Sequence, residues 1–83
     1  MKITITDIVV NRINYYLGQK ENLTVYSLAI ASGIPYPTLK SIMQKRTKSI
    51  DLKTIILIAY GLDISPSEFI NDKTFSAEYL NLF

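Results

Sequence analysis

The stretch "GIPYPTLKSIMQKRTKS", residues 33 to 49, governs the reading of the whole chain. A glycine leads into two prolines that bracket a tyrosine. A short helix-like run follows, and the stretch carries Lys40, Lys45, Arg46 and Lys48 without an acid. Tyr36 precedes a proline, which drives its backbone toward an extended shape and suits it to an N-cap position. Pro37 is preset for the first helical residue, where a missing N–H costs nothing. Together they predict a helix that starts at one place, with Leu39, Ile42 and Met43 facing inward. Lys40, Ser41 and Gln44 fall mostly on the other face. Gly33 supplies the positive φ for the turn before it.

Upstream, Thr24 is the expected N-cap of a helix over "VYSLAIAS", which buries Leu28 and Ala29, with Tyr26 a further candidate. Before it, Val9, Val10, Ile13, Tyr16 and Leu17 recur at three- and four-residue steps. They predict an amphipathic helix from Asp7 that fades between Gly18 and Asn22. Ile3 and Ile5 alternate ahead of it, a pattern that fits a frayed strand and a loose arm equally. Downstream, Ser49 or Asp51 caps a helix through "LKTIILIAYGL", ended by Gly61. Ser65-Pro66-Ser67-Glu68 is a capping-box signature for a short fifth helix carrying Phe69 and Ile70. A last turn from Ser76 carries Phe75, Tyr79 and Leu80. With no repeat, low-complexity tract or linker, the expectation is one domain over residues 1–83. It has an all-α core of five short helices at about 7–70 and a C-terminal appendage at 71–83.

Composition narrows the function. At 83 residues without cysteine, neither a disulfide framework nor a thiolate metal site supports the fold. The 48% of hydrophobic residues must pack well or self-associate. The longest apolar run, Ile55 to Tyr60, is too short for a bilayer. "MKITITDIVV" carries Asp7 and spaced threonines where a signal peptide is continuously apolar, so a cytoplasmic location is expected. Histidine and cysteine are absent, and there is no Gly-rich phosphate loop and no paired carboxylate. An enzyme, a metal, a cofactor and a small-molecule ligand are therefore not expected. Net charge is only +2, yet five of the nine basic residues (Lys40, Lys45, Arg46, Lys48, Lys53) lie between positions 40 and 53. Asp51 is the one acid among them. A basic end of this kind suits a polyanion.

Two short helices joined across one glycine form a helix-turn-helix unit, whose second helix presents its N-terminal half to the DNA major groove. From roughly Val9 to Ile70, most of its length, the chain resembles the phage repressor and Cro-type (xenobiotic-response-element) helix-turn-helix family. The likeness rests on Leu28-Ala29, Ser32-Gly33-Ile34, Leu39 and Ile42, then Ile55, Ile58-Ala59 and Leu62, then Ser65 through Phe69. The resemblance implies sequence-specific binding of double-stranded DNA, usually as a dimer, to control transcription.

Carried over by position, Tyr36, Pro37, Lys40 and Ser41 occupy the base-reading face, with Thr38 and Gln44 beside them. For Tyr36, a packing role at the helix entry stays open. Lys45, Arg46 and Lys48 fall in the loop that grips phosphate, and Thr24 and Val25 at the helix start that approaches the backbone. Relatives often have glycine where this chain has Lys45, so Lys45 either adopts a left-handed conformation or lets the helix run on. Ile56 and Leu57, polar in many relatives, are either covered by the tail or face a second subunit. Ile56, Leu57, Phe69, Phe75, Tyr79, Leu80 and Phe83 form the expected homodimer interface. The alternative is a protein-interaction module of the same fold, an antitoxin or anti-repressor that binds a toxin or regulator protein.

Overall fold

The computed structural model describes residues 3–47, 49–76 and 78–80. Lys48 and Phe83, expected at the phosphate and dimer surfaces, lie outside the described residues. Among the described residues there are five helices and no strand: α1 (Ile5–Gln19), α2 (Val25–Ser32), α3 (Tyr36–Met43), α4 (Leu52–Gly61) and α5 (Pro66–Phe69). The fold is all-α, as expected.

Caps decide the boundaries. Thr4 accepts from the Asp7 N–H, and the Asp7 carboxylate accepts from the Thr4 N–H at 3.1 Å, a reciprocal capping box. Asp7 is therefore the third helical residue, and α1 starts two residues earlier than its apolar stripe suggests. Thr24 and Ser27 make the same reciprocal arrangement at α2. Asp51, not Ser49, caps α4 through the Thr54 N–H at 2.8 Å. Ser65 accepts from the Glu68 N–H at α5, but the Glu68 carboxylate turns away to accept from the Tyr16 hydroxyl at 3.2 Å. Half of the expected capping box at α5 is therefore replaced by a tertiary contact.

Two start and stop signals move. The Pro35 carbonyl accepts from Thr38 and Leu39, so Pro35 is the N-cap of α3. Tyr36 and Pro37 become the first and second helical residues. Pro37 stays inside the first turn, where its lost donor is harmless. At α4, Gly61 is the last helical residue, and the chain turns instead at Asp63, whose φ is 61°. Asp63 donates to the Tyr60 carbonyl and Ile64 to the Ala59 carbonyl, the two bonds of a Schellman closure. Gly61 serves packing: a Cβ there would lie 2.8 Å from the Ser32 Cβ and 2.9 Å from the Ser32 N. The Lys20 ammonium donates to the Leu62 carbonyl just past this end of α4.

One core joins the elements. Val9, Ile13, Leu28, Leu39, Ile58, Leu62 and Phe69 are essentially inaccessible to solvent. α4 packs most extensively on α2, and α2 braces α3. An eight-residue helix such as α3 is marginal alone. Truncating Leu39, its fully buried anchor, would cost about 2–5 kcal/mol, a large part of a small protein's stability. Arg12 ties α1 to the end of α5, with Nε donating to the Phe69 carbonyl at 2.7 Å and the guanidinium also reaching the Glu68 carbonyl at 2.9 Å.

The tail returns to the start of the chain. The Ile3 N–H donates to the Tyr79 carbonyl at 2.8 Å, and Ile3 pairs with Leu80 in an isolated parallel bridge. Of the strand and the arm, this single bridge is what Ile3 makes, while Ile5 belongs to α1. Leu80 is buried, and Phe75 packs against the core. Phe69 is 0% exposed. Phe69 and Leu80 are thus core residues with no surface to offer a second copy, because the fold already consumes their apolar area.

Candidate nucleic-acid interface

Seen from α3 outward, one face collects the expected reading residues. Leu39 and Ile42 point into the core, which leaves Tyr36, Pro37, Thr38, Lys40 and Gln44 exposed and Ser41 half-buried. Gly33 (φ 74°) closes α2, with the Ile34 N–H donating to the Ala29 carbonyl, and aims α3 relative to its brace. No acid occurs between Glu21 and Asp51, so neither α2 nor α3 carries negative charge.

The start of α2 lies beside the start of α3. The Tyr26 and Tyr36 rings meet edge to face, centroids 5.4 Å apart at 68°. The Lys40 ammonium sits 6.0 Å from the Tyr36 centroid, at the limit of a cation–π contact. Tyr26, offered as a buried residue, is 59% exposed. The inward stripe of α2 runs Val25, Leu28, Ala29, Ser32, and Tyr26 falls off it. That helical spacing was the available signal for placing Tyr26 on the surface. Thr24 is exposed and Val25 half-buried. The Thr24 hydroxyl and N–H are both engaged with Ser27. The α2 donors left for an anion are the Val25 and Tyr26 N–H groups, which have no intrahelical acceptor.

After α3, Lys45 adopts the left-handed conformation (φ 58°). Its N–H donates to the Ile42 carbonyl and that of Arg46 to the Ser41 carbonyl, so the lysine occupies the usual glycine position of a Schellman closure. Such a conformation costs about 1–2 kcal/mol for a side chain with a Cβ. The lysine side chain reaches α1: the Lys45 ammonium lies 3.2 Å from Asp7 Oδ1, an exposed pair worth less than that cost. Two bonds from Thr4 and then the Lys45 ammonium hold the Asp7 carboxyl below the ordinary aspartate value. The Thr6 hydroxyl donates to the Thr47 carbonyl at 2.6 Å, a second tie between α1 and this loop. Arg46 is exposed. Sequence reasoning missed Asp7 as a partner because it lies 38 positions from Lys45 in the chain, on the first turn of another helix.

Among the described residues no group of three or more His, Cys, Asp or Glu side chains could hold a metal ion. No helix there is long and apolar enough to cross a membrane. On α4, Leu52, Ile56 and Tyr60 form an exposed stripe at i, i+4, i+8, 68%, 44% and 74% accessible, whereas Leu57 packs against the core.

A braced second helix, a left-handed glycine turn, an acid-free exposed face and a basic loop together define a helix-turn-helix DNA-binding protein. The family model for the Cro/C1-type HTH DNA-binding domain matches residues 12–74. The chain belongs to that family, and in general terms it is a DNA-binding transcription regulator. No curated protein and no solved structure matches the chain.

Proposed function

We propose that the protein is a sequence-specific double-stranded DNA-binding repressor that acts as a homodimer, in the cytoplasm. The observation that carries this reading is the exposed, acid-free face of α3 beside the start of α2. Tyr36, Pro37, Thr38, Lys40, Ser41 and Gln44 meet base edges in the major groove. Arg46, Lys48 and the Val25 end of α2 hold phosphates, with Thr24 shaping that end. Lys45 joins them when it leaves Asp7. A lone unit of this size buries too little surface for tight specific binding, so two copies engage two half-sites. Ile56, flanked by Leu52 and Tyr60 in one stripe of α4, is an exposed apolar surface for self-contact, with Tyr79 and Phe83 of the tail as further contributors.

Anisotropy titrations of labelled duplexes at several salt concentrations test the proposal. Arg46 and Lys48 give two charged phosphate contacts per half-site, four per dimer, and a slope of log affinity against log salt of about −4, and Lys45 released from Asp7 in both copies takes it to about −5. A flat slope, or no duplex binding at low salt, rejects DNA binding. Sedimentation equilibrium of the intact chain tests the dimer: Ile56→Glu should give a folded monomer. A second reading, a module that docks on a toxin or regulator protein, draws on the same α4 stripe. A folded, monomeric chain that binds duplex without sequence preference would favour it.

A further inference from the structure

We infer that the Tyr26–Tyr36 pair makes the half-site readout depend on thymine 5-methyl groups, with Tyr26 acting as a positioning residue for the Tyr36 ring. The inference deepens the proposed DNA-binding function and rests on it. What α2 and the first turn of α3 offer a base edge is unusual in its chemistry. Pro37 has no N–H and presents only ring carbons. Thr38 presents a methyl and a hydroxyl, and Tyr36 a ring and a hydroxyl. All three are exposed. Guanine is ordinarily read by Arg or Lys, adenine by Asn or Gln, and the cytosine amine by a carboxylate. None of these side chains lies in that first turn, and no acid occurs anywhere between Glu21 and Asp51. Lys40 comes a turn later, and Gln44 lies past the last helical residue.

The base-edge feature that remains for an apolar surface is the thymine methyl. The Tyr36 ring is held for that task. Tyr26 meets it edge to face at 5.4 Å, and the Lys40 ammonium stands 6.0 Å from its centroid. Despite both neighbours the ring stays 37% exposed, and Tyr26 extends the aromatic edge onto α2 with 59% exposure. A ring fixed before binding loses less side-chain freedom on contact than a free one.

The test uses the intact protein. A duplex is first selected from a randomised pool, and each thymidine in it is then replaced by deoxyuridine. This removes one methyl and leaves every hydrogen-bonding group in place. Burial of one methyl corresponds to about a fourfold change in affinity. We expect about fourfold weaker binding at each of two or more positions per half-site, and recovery where 5-methylcytosine is introduced for a cytosine at the same edge. Tyr36→Ala should abolish the thymine–uracil difference. Tyr26→Ala should reduce it, and Tyr26→Phe should keep it. Both tyrosines are exposed, so thermal melts should match the wild type. Uracil duplexes bound within twofold of thymine duplexes by the wild type overturn the inference and leave DNA binding intact. An unchanged thymine–uracil difference in Tyr26→Ala overturns the positioning role. Failure of the pool to yield any bound duplex rejects both the inference and the reading beneath it.

Discussion

Gly61→Ala is a one-carbon change at the contact between α4 and α2, and its sign follows from two opposed terms. In a helix the new methyl gains about 1 kcal/mol over glycine from backbone entropy. Against that, the Cβ would sit 2.8 Å from the Ser32 Cβ, 2.9 Å from the Ser32 N and 3.0 Å from a Leu28 methyl. Carbon atoms rest at about 3.5–4.0 Å, so α2 must retreat by roughly half an ångström or more. The Ser32 N is backbone and cannot rotate away. Overpacking of this kind costs about 1–3 kcal/mol, and a contact on a rigid helix belongs at the upper end. The net expectation is a loss of about 1–2 kcal/mol, or a melting temperature lower by roughly 5–15 °C for a chain of this size. Because α2 braces α3, DNA affinity should fall as well. Gly18→Ala is the control, since a Cβ there meets nothing within 4 Å. It should stabilise by about 0.5–1 kcal/mol. Urea and thermal unfolding followed by circular dichroism measure both. A Gly61→Ala variant that melts at or above the wild type refutes the close-approach argument.

Asp7→Asn frees Lys45 and removes a negative charge beside the basic loop proposed to hold phosphates. Duplex affinity should rise at low salt, with the salt slope steepening by up to about one unit per half-site, and a fall in affinity in anisotropy titrations would count against the pairing. Stability should fall by about 0.5–2 kcal/mol, since the exposed ion pair is weak and a neutral amide is a poorer capping-box acceptor at the helix N-terminus. Arg46→Ala should weaken specific and non-specific duplexes alike, whereas Lys40→Ala or Ser41→Ala should shift base preference by about 1–3 kcal/mol at one position. The opposite pattern in competition binding would exchange the two surfaces. Hydrogen bonds hold the Asp7, Asp51 and Asp72 carboxyls below their ordinary value of 3.8. A depressed folded-state pKa stabilises the fold above the unfolded value and is lost as pH falls through the folded one. Denaturation midpoints should therefore be flat from about pH 5 to 8 and drop below about pH 4. Burial raises the Tyr16 hydroxyl above 10.0, so stability also falls as pH rises through its folded-state value. With no histidine, DNA affinity at fixed ionic strength should stay constant between about pH 6 and 8.

What the chain of residues determined by itself is local. Thr24 ahead of an apolar stripe, Gly33 at a left-handed turn and Ser65 at a helix start all act over three or four positions. Their hydrogen bonds are made within the segment that contains them, and that is why five helices and the order of a helix-turn-helix could be read in advance. The same locality placed Lys40, Ser41 and Gln44 opposite Leu39 and Ile42. Some misses were local: Thr4 and Pro35 cap α1 and α3 ahead of the expected starts, and the spacing of α2 already turned Tyr26 outward. Elsewhere a distant partner decided. Gly61 looks like a helix stop until Ser32 of α2 lies against it, and Asp63 then takes the turn. Lys45 can hold a left-handed backbone beside Asp7, whose capping role is local but whose salt bridge is not. Tyr26 meets the Tyr36 ring only because the turn brings the starts of α2 and α3 together. Phe69 and Leu80 read as spare apolar surface at the end of the chain, yet the fold consumes them. Burial and charge pairing depend on which surfaces meet in three dimensions, and no periodicity along one helix encodes that meeting.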